Sequence, residues 1–192
     1  MYSFIHKYWS KATFILLLGG VLLQACENDP QKVNDLFRKQ VAVEEAFNVE
    51  SFMSQDGKVK AKLTAPYMVR SQADSPYLEF PKTVHVDFYK DSATIETILD
   101  ARYAKYMEYM RKVLLKDSVV VINRLSGDTL RTQELWWDQN KEEFYTDKPC
   151  HINQRLGKTF AENGLRAAQN LNWYEFHKSS GTRLVPESGV PN

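Results

Sequence analysis

Few residues of this sequence combine the types and the spacing that catalysis or metal binding requires. None of its four histidines has the spacing of a zinc-binding helix, and neither cysteine belongs to a Cys-x-x-Cys pair. The chain also lacks a phosphate-binding loop and a Gly-x-Ser-x-Gly elbow. Asp138, Glu142 and Glu143 lie in a predicted hairpin turn, where solvated carboxylates are usual. The sequence therefore predicts a protein that is not an enzyme and that needs no cofactor or metal.

Cys26 has a setting that indicates a defined modification. It follows a start that carries Lys7 and Lys11 but no acid, and then an apolar run at 12–23. Spanning a bilayer takes roughly 20 apolar residues, so this run is too short and is typical of a secretory signal. Residues 23–26, LQAC, resemble the bacterial lipobox, which implies cleavage before Cys26 and acylation of its thiol and new amino group. An uncleaved signal anchor with an incidental cysteine is the alternative.

Composition excludes several classes of protein. The 192 residues suit one domain, and 25 Lys and Arg against 24 Asp and Glu leave no basic surface typical of nucleic-acid binding. A hydrophobic content of 43% is enough for a globular core. If Cys26 carries lipid, Cys150 has no disulfide partner. Because Cys150 falls in the apolar alternation of a predicted strand, with His151 facing the other way, we expect it to be a small core residue.

The chain divides into segments of different character. Residues 1–25 form the predicted lipoprotein signal peptide. Residues 26–48 are polar with apolar positions at helical spacing, which suits a short helix or a lipid-anchored tether. Residues 179–192 are rich in Gly, Pro and Ser and predict a disordered tail. The β-rich body between them, residues 49–178, is the predicted folded domain.

Period-two alternation dominates this body. Polar and apolar residues alternate at 58–63, 83–89 and 150–153, and residues 118–123 include a β-branched run. Turn signals rich in Gly, Asp and Asn lie between such runs, and the spacing from one turn to the next is about 10–20 residues. The pattern predicts an antiparallel all-β fold. Residues 99–115 contain good helix formers, so both a helix and strands are possible there, although we favour strands.

An internal repeat supports the strand interpretation. An apolar residue followed by a small residue two positions later recurs at Leu63, Leu99 and Leu130, with a looser copy at Phe160. A β-rich run follows each of the first three. Because both landmarks recur with a period of about 30 residues, hairpin units are expected to stack and to bury their apolar faces only together. The expected architecture is a stack of antiparallel hairpins curled into a roll.

Several motifs together resemble the LptC family of lipopolysaccharide-export proteins, which share the OstA-like repeat with LptA. The resemblance covers roughly residues 50–170 and is nearest to short, lipobox-bearing members of the Bacteroidetes type. Many LptC proteins carry an uncleaved transmembrane helix where this chain has its lipobox. The matching segments are TAPYM at 64–68, FPKTVHVDFY at 80–89, DARYA at 100–104, SGDTLRTQELWWD at 126–138 and FYTDKP at 144–149.

The resemblance implies an open antiparallel β-jellyroll at the periplasmic face of the inner membrane of a Gram-negative bacterium. Its interior would shelter the acyl chains of lipopolysaccharide, accepted from an inner-membrane ATPase–permease complex and passed to an LptA-like periplasmic protein. The ATPase would supply the energy. Exposed strand edges would join the partners by edge-strand pairing. A strand at 158–168 would meet the LptA-like protein, and a strand at 49–65 would meet the permease.

The candidate groove residues are the inward positions of the predicted strands. A trough for acyl chains and a sealed hydrophobic core use the same residue types, so the alternation pattern alone does not distinguish between them. The predicted inward residues are Val59, Ala61, Leu63, Val84, Val86, Phe88, Leu99, Ala101, Tyr103, Val119, Val121, Leu130 and Ile152.

A second hypothesis belongs to a different class of protein. It is a lipoprotein adaptor or glycan-binding β module with a sealed core, in which aromatic rings contact the ligand. Scattered basic residues could instead meet lipid phosphates, although such residues on a β surface are usually only solvated. The aromatic candidates are Tyr103, Tyr106, Tyr109, Trp136, Trp137, Trp173 and Tyr174, and the basic ones are Arg102, Lys105, Arg111 and Lys112.

Overall fold

The computed structural model describes residues 43–72, 75–91 and 93–183. All of them belong to one compact unit, residues 42–192. The predicted signal peptide, Cys26, most of the predicted tether and the end of the predicted tail lie outside the described residues. Within the described ranges the regular secondary structure consists of β-strands, which confirms the predicted all-β class. No helix there is long and apolar enough to cross a membrane.

Fourteen strands form one sheet, and their pairings are antiparallel. In chain order they are β1 (Val43–Gln55), β2 (Lys58–Ser71), β3 (Tyr77–Phe80), β4 (Val84–Tyr89), β5 (Ile95–Ala101), β6 (Tyr103–Met107), β7 (Lys112–Asn123), β8 (Thr129–Asp138), β9 (Glu143–Thr146), β10 (Cys150–Gln154), β11 (Gly157–Ala161), β12 (Leu165–Ala168), β13 (Tyr174–Phe176) and β14 (Ser179–Arg183).

The chain makes successive bent passes, and each pass pairs with the next on both sides of its bend. The long strands β2, β7 and β8 reveal this because each has two sets of partners along its length. β2 pairs with β4 and β3, β7 with β5 and β6, and β8 with β10 and β9. One bent meander therefore produces two layers. Layer A contains β4, β5, β10, β11 and β14, layer B contains β3, β6, β9, β12 and β13, and the long strands run through both.

The two layers face each other across an apolar interior. Phe88 of β4 meets Trp137 of β8 edge-on, with ring centroids 4.9 Å apart, and Phe144 of β9 at 5.9 Å. Edge-to-face aromatic pairs of this kind add to the gain from burial. The architecture is the predicted open β-jellyroll.

The inner face of layer A carries a continuous row of directly paired apolar residues. Leu63, Leu99 and Leu130, the landmarks of the predicted repeat, all lie on it, so the repeat brings one leucine per hairpin unit to the same level of the roll. Burying a leucine or valine side chain stabilises the fold by roughly 1.5–3 kcal/mol. In order across the strands, the row is Leu63, Val86, Leu99, Val121, Leu130 and Ile152.

The alternation of inner and outer faces slips by one residue at the bend between β5 and β6. Ala101 and Ala104 are both buried although two residues separate them, because Arg102 occupies the bend. The Arg102 N–H donates to the Asp117 carbonyl of β7 at 3.1 Å. Asp117 and Ser118 have φ of 62° and 58° and interrupt the register there. This left-handed region costs a non-glycine residue about 1–2 kcal/mol.

The slip corrects one predicted groove residue. Alternation through Leu99 and Ala101 predicts that Tyr103 faces inward, but Tyr103 lies on the outer face because Ala104 takes the inner position. The Tyr103 hydroxyl donates to Glu79 Oε1 at 2.8 Å. Burial, reinforced by the Glu79 carboxylate, raises the pKa of Tyr103 to about 12.

The folded domain extends beyond the predicted boundaries at both ends. β1 begins at Val43, inside the predicted tether, and the predicted strand at 49–65 is a hairpin that turns at Asp56 and Gly57, both with positive φ. β14 occupies the start of the predicted disordered tail. Gly181 permits its close approach to β11, since a Cβ at this position would lie 2.4 Å from a backbone oxygen. Residues 99–115 form strands and the turn between them, as we favoured.

The predicted docking strand at 158–168 is not an edge, so this prediction was wrong. The segment forms β11 and β12. β11 lies between β10 and β14, and β12 lies between β9 and β13. The error has a physical source, because Ser- and Gly-rich residues that suggest disorder can still add a strand wherever a neighbour supplies hydrogen bonds. Among the described residues, the outermost strands are β1 at one end and β13 and β14 at the other.

Gly164, in the connection from β11 to β12, provides a test of this packing. It has φ of 83°, and a Cβ there would lie 1.9 Å from the Thr146 carbonyl oxygen. We expect Gly164→Ala to destabilise the protein by about 3 kcal/mol or more through overlap and left-handed strain. Gly127 has φ of 81° but no atom within 4 Å of the same point, so Gly127→Ala should cost only about 1–2 kcal/mol. Urea unfolding monitored by tryptophan fluorescence compares them, and equal losses would contradict the packing argument.

Candidate functional site

The interior of the roll has a sealed part and an open part. Towards the C-terminal strands the core side chains are fully shielded from solvent, including Leu130, Phe144, Cys150, Ile152 and Leu165. At the opposite end, β1, β2, β3 and β6 surround a cavity of about 270 Å³, which we call the apolar cleft. Its apolar lining consists of Val49, Phe52, Met53, Ala61, Leu63, Met68, Leu78, Phe80, Val86, Tyr106, Val113 and Trp137.

The cleft exists because the last strand on this side covers the core incompletely. Met53, Leu63, Met68 and Leu78 pack against the buried core yet remain partly accessible. Two of these four residues are methionines, whose flexible thioethers adapt to ligands of irregular shape. A concave, largely apolar lining is the usual form of a small-molecule site. The cleft is therefore suited to hydrocarbon.

The lining of the apolar cleft includes a charged side chain. Arg111 lines it from the β6–β7 turn, and burial raises the pKa of the lining Tyr106, an effect that the Arg111 charge opposes. Arg70 pairs with Leu78 in register, and its guanidinium lies 3.9 Å from Glu44 and 3.6 Å from Glu108. A largely apolar lining that includes the Arg111 guanidinium favours an amphiphile over a purely apolar ligand.

A connecting loop seals the far end of the interior. Residues 169–173 join β12 to β13 and place Leu171 in the core. The Asn123 amide of β7 donates to the Asn170 carbonyl at 2.5 Å, and the Trp137 indole N–H donates to Gln169 Oε1 at 2.8 Å. Trp137 thus lines the apolar cleft on one side and is held by the sealing loop on the other.

Tyr174 ties the same end of the roll together. Tyr174 directly follows the sealing loop. Its hydroxyl donates a hydrogen bond to Asp128 Oδ2, 3.1 Å away in the β7–β8 turn. Burial, with the Asp128 charge as a second cause, raises the pKa of Tyr174 far above its ordinary value. The phenol therefore stays a hydrogen-bond donor across the physiological pH range.

The predicted groove residues separate into three groups. Val59 and Leu63 are partly accessible, and Leu63 lines the apolar cleft. Tyr103 is on the outer face, as described above. The remaining predicted residues are buried, with Ala61 and Val86 contributing to the cleft wall; they are Ala61, Val84, Val86, Phe88, Leu99, Ala101, Val119, Val121, Leu130 and Ile152.

Sequence reasoning missed most of the residues that form the open part of the interior. Met53, Met68, Leu78, Tyr106 and Trp137 line the cleft without having been predicted to face it. Each lies outside the alternating segments from which the inward positions are predicted. Restarting the period-two pattern after every predicted bend would have found Tyr106 from Ala104, because both face inward in β6.

The side chains that could take part in catalysis or metal binding, Cys150 and His85, make structural contacts instead. Cys150 is buried, which confirms the prediction of a core residue, and burial raises the pKa of its thiol to about 11 despite an opposing backbone hydrogen bond. His85 Nδ1 lies 2.7 Å from Asp100 and Nε2 lies 3.1 Å from Asp87. Burial lowers the pKa of His85, but the two aspartates outweigh it and the net shift is upward. The described residues contain no group of three or more potential metal ligands.

The aromatic residues proposed as glycan contacts do not form one surface. Trp137 and Tyr106 face the interior, whereas Trp136 stacks on Tyr145 on the outside of layer B with ring centroids 6.1 Å apart. Tyr109 and Trp173 are exposed in separate turns. A glycan site built from these rings is therefore not formed.

The fold is an open antiparallel roll with an apolar cleft between its layers. Residues 12–177 match the family model described as lipopolysaccharide-assembly, LptC-related. The chain belongs to the LptC family, periplasmic envelope components of Gram-negative bacteria that take part in lipopolysaccharide transport. This confirms the resemblance noted in the sequence. A comparison with curated proteins finds no match.

Proposed function

We propose that this chain is a non-enzymatic carrier that holds acyl chains of lipopolysaccharide in the apolar cleft. The observation that carries the proposal is the cleft itself, a cavity of about 270 Å³ walled by methionine, leucine and aromatic side chains in a member of a lipopolysaccharide-transport family. Removing apolar surface from water supplies the binding energy, at about 25 cal/mol per Å². Arg111, which lines the cleft, would meet the polar part of the lipid.

The proposed direction of lipid transfer depends on which protein supplies the energy. The sequence contains no phosphate-binding loop, so movement against a gradient must draw on a partner. We propose that an inner-membrane ATP-binding cassette transporter delivers the lipid and that an LptA-like periplasmic protein receives it. In this proposal the chain acts at the periplasmic face of the inner membrane.

The outermost strands support a revised docking scheme. β1 pairs only with β2, and β14 pairs only with β11 among the described residues. An outermost strand offers unpaired N–H and C=O groups to a second chain. In this scheme β1, beside the open cleft, meets the permease, and β14 meets the LptA-like protein in place of the 158–168 segment.

Site-specific photo-crosslinking in cells tests the lipid site. A photoreactive residue at Leu63, on the cleft wall, is expected to capture lipopolysaccharide, because this side chain is accessible from the cleft. A probe at Asp87, on the outer face of β4, should capture none. A probe at Val121, which is fully buried, should also capture none. Immunoblotting for lipopolysaccharide on the purified protein gives the readout.

The three probe positions separate competing arrangements. Adducts at Asp87 but not at Leu63 would contradict the cleft as the lipid site. Adducts at Val121 as strong as those at Leu63 would mean that cargo runs through the part that is sealed here. A sealed adaptor module predicts no lipid at any of the three positions.

The same method tests docking at the outermost strands. A probe at Ser180 of β14 should capture the LptA-like protein, and a probe at Glu45 of β1 should capture the permease, because both residues are exposed on strands that, among the described residues, are paired along one edge only. Tyr109, an exposed aromatic in the β6–β7 turn, is the control position. Mass spectrometry identifies each adduct. Equal capture of the same partners at Tyr109 would refute edge-specific docking.

The lipid anchor is proposed from the sequence, since Cys26 lies outside the described residues. Two or more acyl chains hold a protein stably on a membrane, where one is marginal. We expect Cys26→Ala to release a soluble protein or to leave an unprocessed precursor. Membrane fractionation and precursor size on a gel measure this. Unchanged attachment together with unchanged size would disprove lipidation at Cys26.

A further inference from the structure

Three exposed apolar side chains lie in turns at one end of the roll. They are Leu125 in the β7–β8 turn, Leu156 in the β10–β11 turn and Trp173 at the end of the sealing loop, with exposed fractions of 58%, 45% and 41%. We call them the apolar tips. None belongs to the buried core. Because apolar surface kept in water is unfavourable, a group of such side chains indicates a surface that is covered in use.

The pairing of the strands brings the three turns together. β8 and β10 pair in register from the first residue of β8, so the β7–β8 turn lies beside the β10–β11 turn. Asp128 of the first turn and Leu156 of the second line the same cavity, of about 440 Å³. The hydrogen bond from Tyr174 to Asp128 keeps the end of the sealing loop, with Trp173, at the same place.

Asn123, the last residue of β7, fixes the backbone beneath the tips. Its side-chain oxygen accepts hydrogen bonds from the N–H groups of Leu125 and Ser126 at 2.7 and 2.9 Å. Its side-chain amide donates to the Asn170 carbonyl of the sealing loop, as described above. One buried side chain therefore orders two of the three turns. Because these turns are in place before a partner arrives, the entropic cost of binding is lower.

An exposed arginine precedes each leucine tip. The pairs are Arg124-Leu125 and Arg155-Leu156, and Lys158, also exposed, follows the second pair on β11. A long cationic side chain beside a protruding leucine can stay at the level of lipid phosphates while the leucine goes deeper.

The acids near the tips are partly engaged within the protein. In the two turns and the sealing loop the one acid is Asp128, whose carboxylate accepts the Tyr174 hydroxyl. On the flanking strands, Glu175 lies 3.7 Å from the Arg166 guanidinium, and Glu96 is half-buried. Two exposed arginines against one hydrogen-bonded aspartate leave these segments positive, which complements an anionic surface.

We propose that the apolar tips dock on the surface of a phospholipid bilayer that contains anionic lipid. Leu125, Leu156 and Trp173 enter the boundary between headgroups and acyl chains, and the neighbouring arginines contact phosphates. Each leucine tip stands alone between an arginine and a small residue. A fluid lipid surface accepts separate protrusions of this kind, whereas a folded protein partner is usually met by one continuous, closely packed patch.

The proposed lipid anchor would keep the tips within reach of a bilayer. Residues 27–42 separate Cys26 from β1, and a chain of that length spans at most about 55 Å. A domain of this size is about 40 Å across, so any of its faces can reach the anchoring membrane and the tips select one. This support rests on the proposed lipidation of Cys26, whereas the exposure and charge of the tips do not.

Photo-crosslinking in reconstituted vesicles tests the docking. The full chain carries a photoreactive residue at Leu125 or Leu156 and is placed in phosphatidylethanolamine vesicles that contain phosphatidylglycerol as the anionic lipid. Mass spectrometry of the chain should detect phospholipid adducts at both positions. Asp147, in the β9–β10 connection at the bend, is the control position, because its side chain is 80% exposed at the opposite end of the hairpins. It should give at least about fivefold fewer adducts, since it does not meet the bilayer.

Replacing the tip arginines tests the role of charge. Arg124→Gln combined with Arg155→Gln should reduce phospholipid capture at Leu125 by about threefold or more, because the contacts with anionic headgroups are lost. The matched control, Arg102→Gln with Lys148→Gln, removes the same charge at the bend and should leave capture unchanged. Equal reductions in the two chains would contradict specific contacts between the tip arginines and the bilayer.

Two results would overturn membrane docking. One is phospholipid capture at Asp147 as strong as at the tips, or no phospholipid adduct at either leucine. The other comes from the same probes in living cells, where a protein adduct in place of phospholipid at Leu125 and Leu156 would assign the tips to a protein interface. Because the tips do not line the apolar cleft, either result leaves the expected lipid capture at Leu63 intact and is distinguishable from failure of the carrier function.

Discussion

The structure depends on one constraint: every pass of the chain must turn an apolar face to the same interior on both sides of its bend. In layer A this produces the row from Leu63 to Ile152, in which each side chain packs beside its register partner. The two layers meet through aromatic contacts, in which Phe88 of layer A packs against Trp137 of β8 and Phe144 of layer B. A strand that kept strict alternation through the bend would satisfy only one of the two layers. The extra residue at Arg102 and the left-handed pair Asp117 and Ser118 resolve this conflict.

The same constraint explains which parts of the fold could be predicted. Val84, Val86 and Phe88 were assigned inward correctly because they lie within one straight strand, where side chains alternate strictly. Tyr103 was assigned incorrectly because a bend intervenes and the pattern carries no signal of its extra residue. β14 was missed because its pairing energy comes from β11, and nothing local to Ser180 or Gly181 indicates a neighbour.

The distinction between a trough and a sealed core could not be predicted for a related reason. Leu63 and Leu130 are the same residue type at the same point of the repeat, yet one lines the cleft and the other is fully buried. What differs is what lies over them. The loop with Leu171 closes the interior near β7 and β8. Leu63, between its register partners Ser51 of β1 and Val86 of β4, stays partly accessible among the described residues. Coverage by distant segments is a tertiary property, and an alternation pattern has no means of encoding it.

Among the described residues, β1 is held by hydrogen bonds on one side only, and this has a mechanical consequence. Its ladder with β2 is long, but the register shifts between Met53 and Ser54, and Asn48 leaves the regular backbone geometry in mid-strand. Strands of this kind open at a lower free energy than the core, through sub-global unfolding that leaves the remaining sheet intact. Opening of β1 would widen the apolar cleft that it borders, while the paired row from Val86 to Ile152 stays intact.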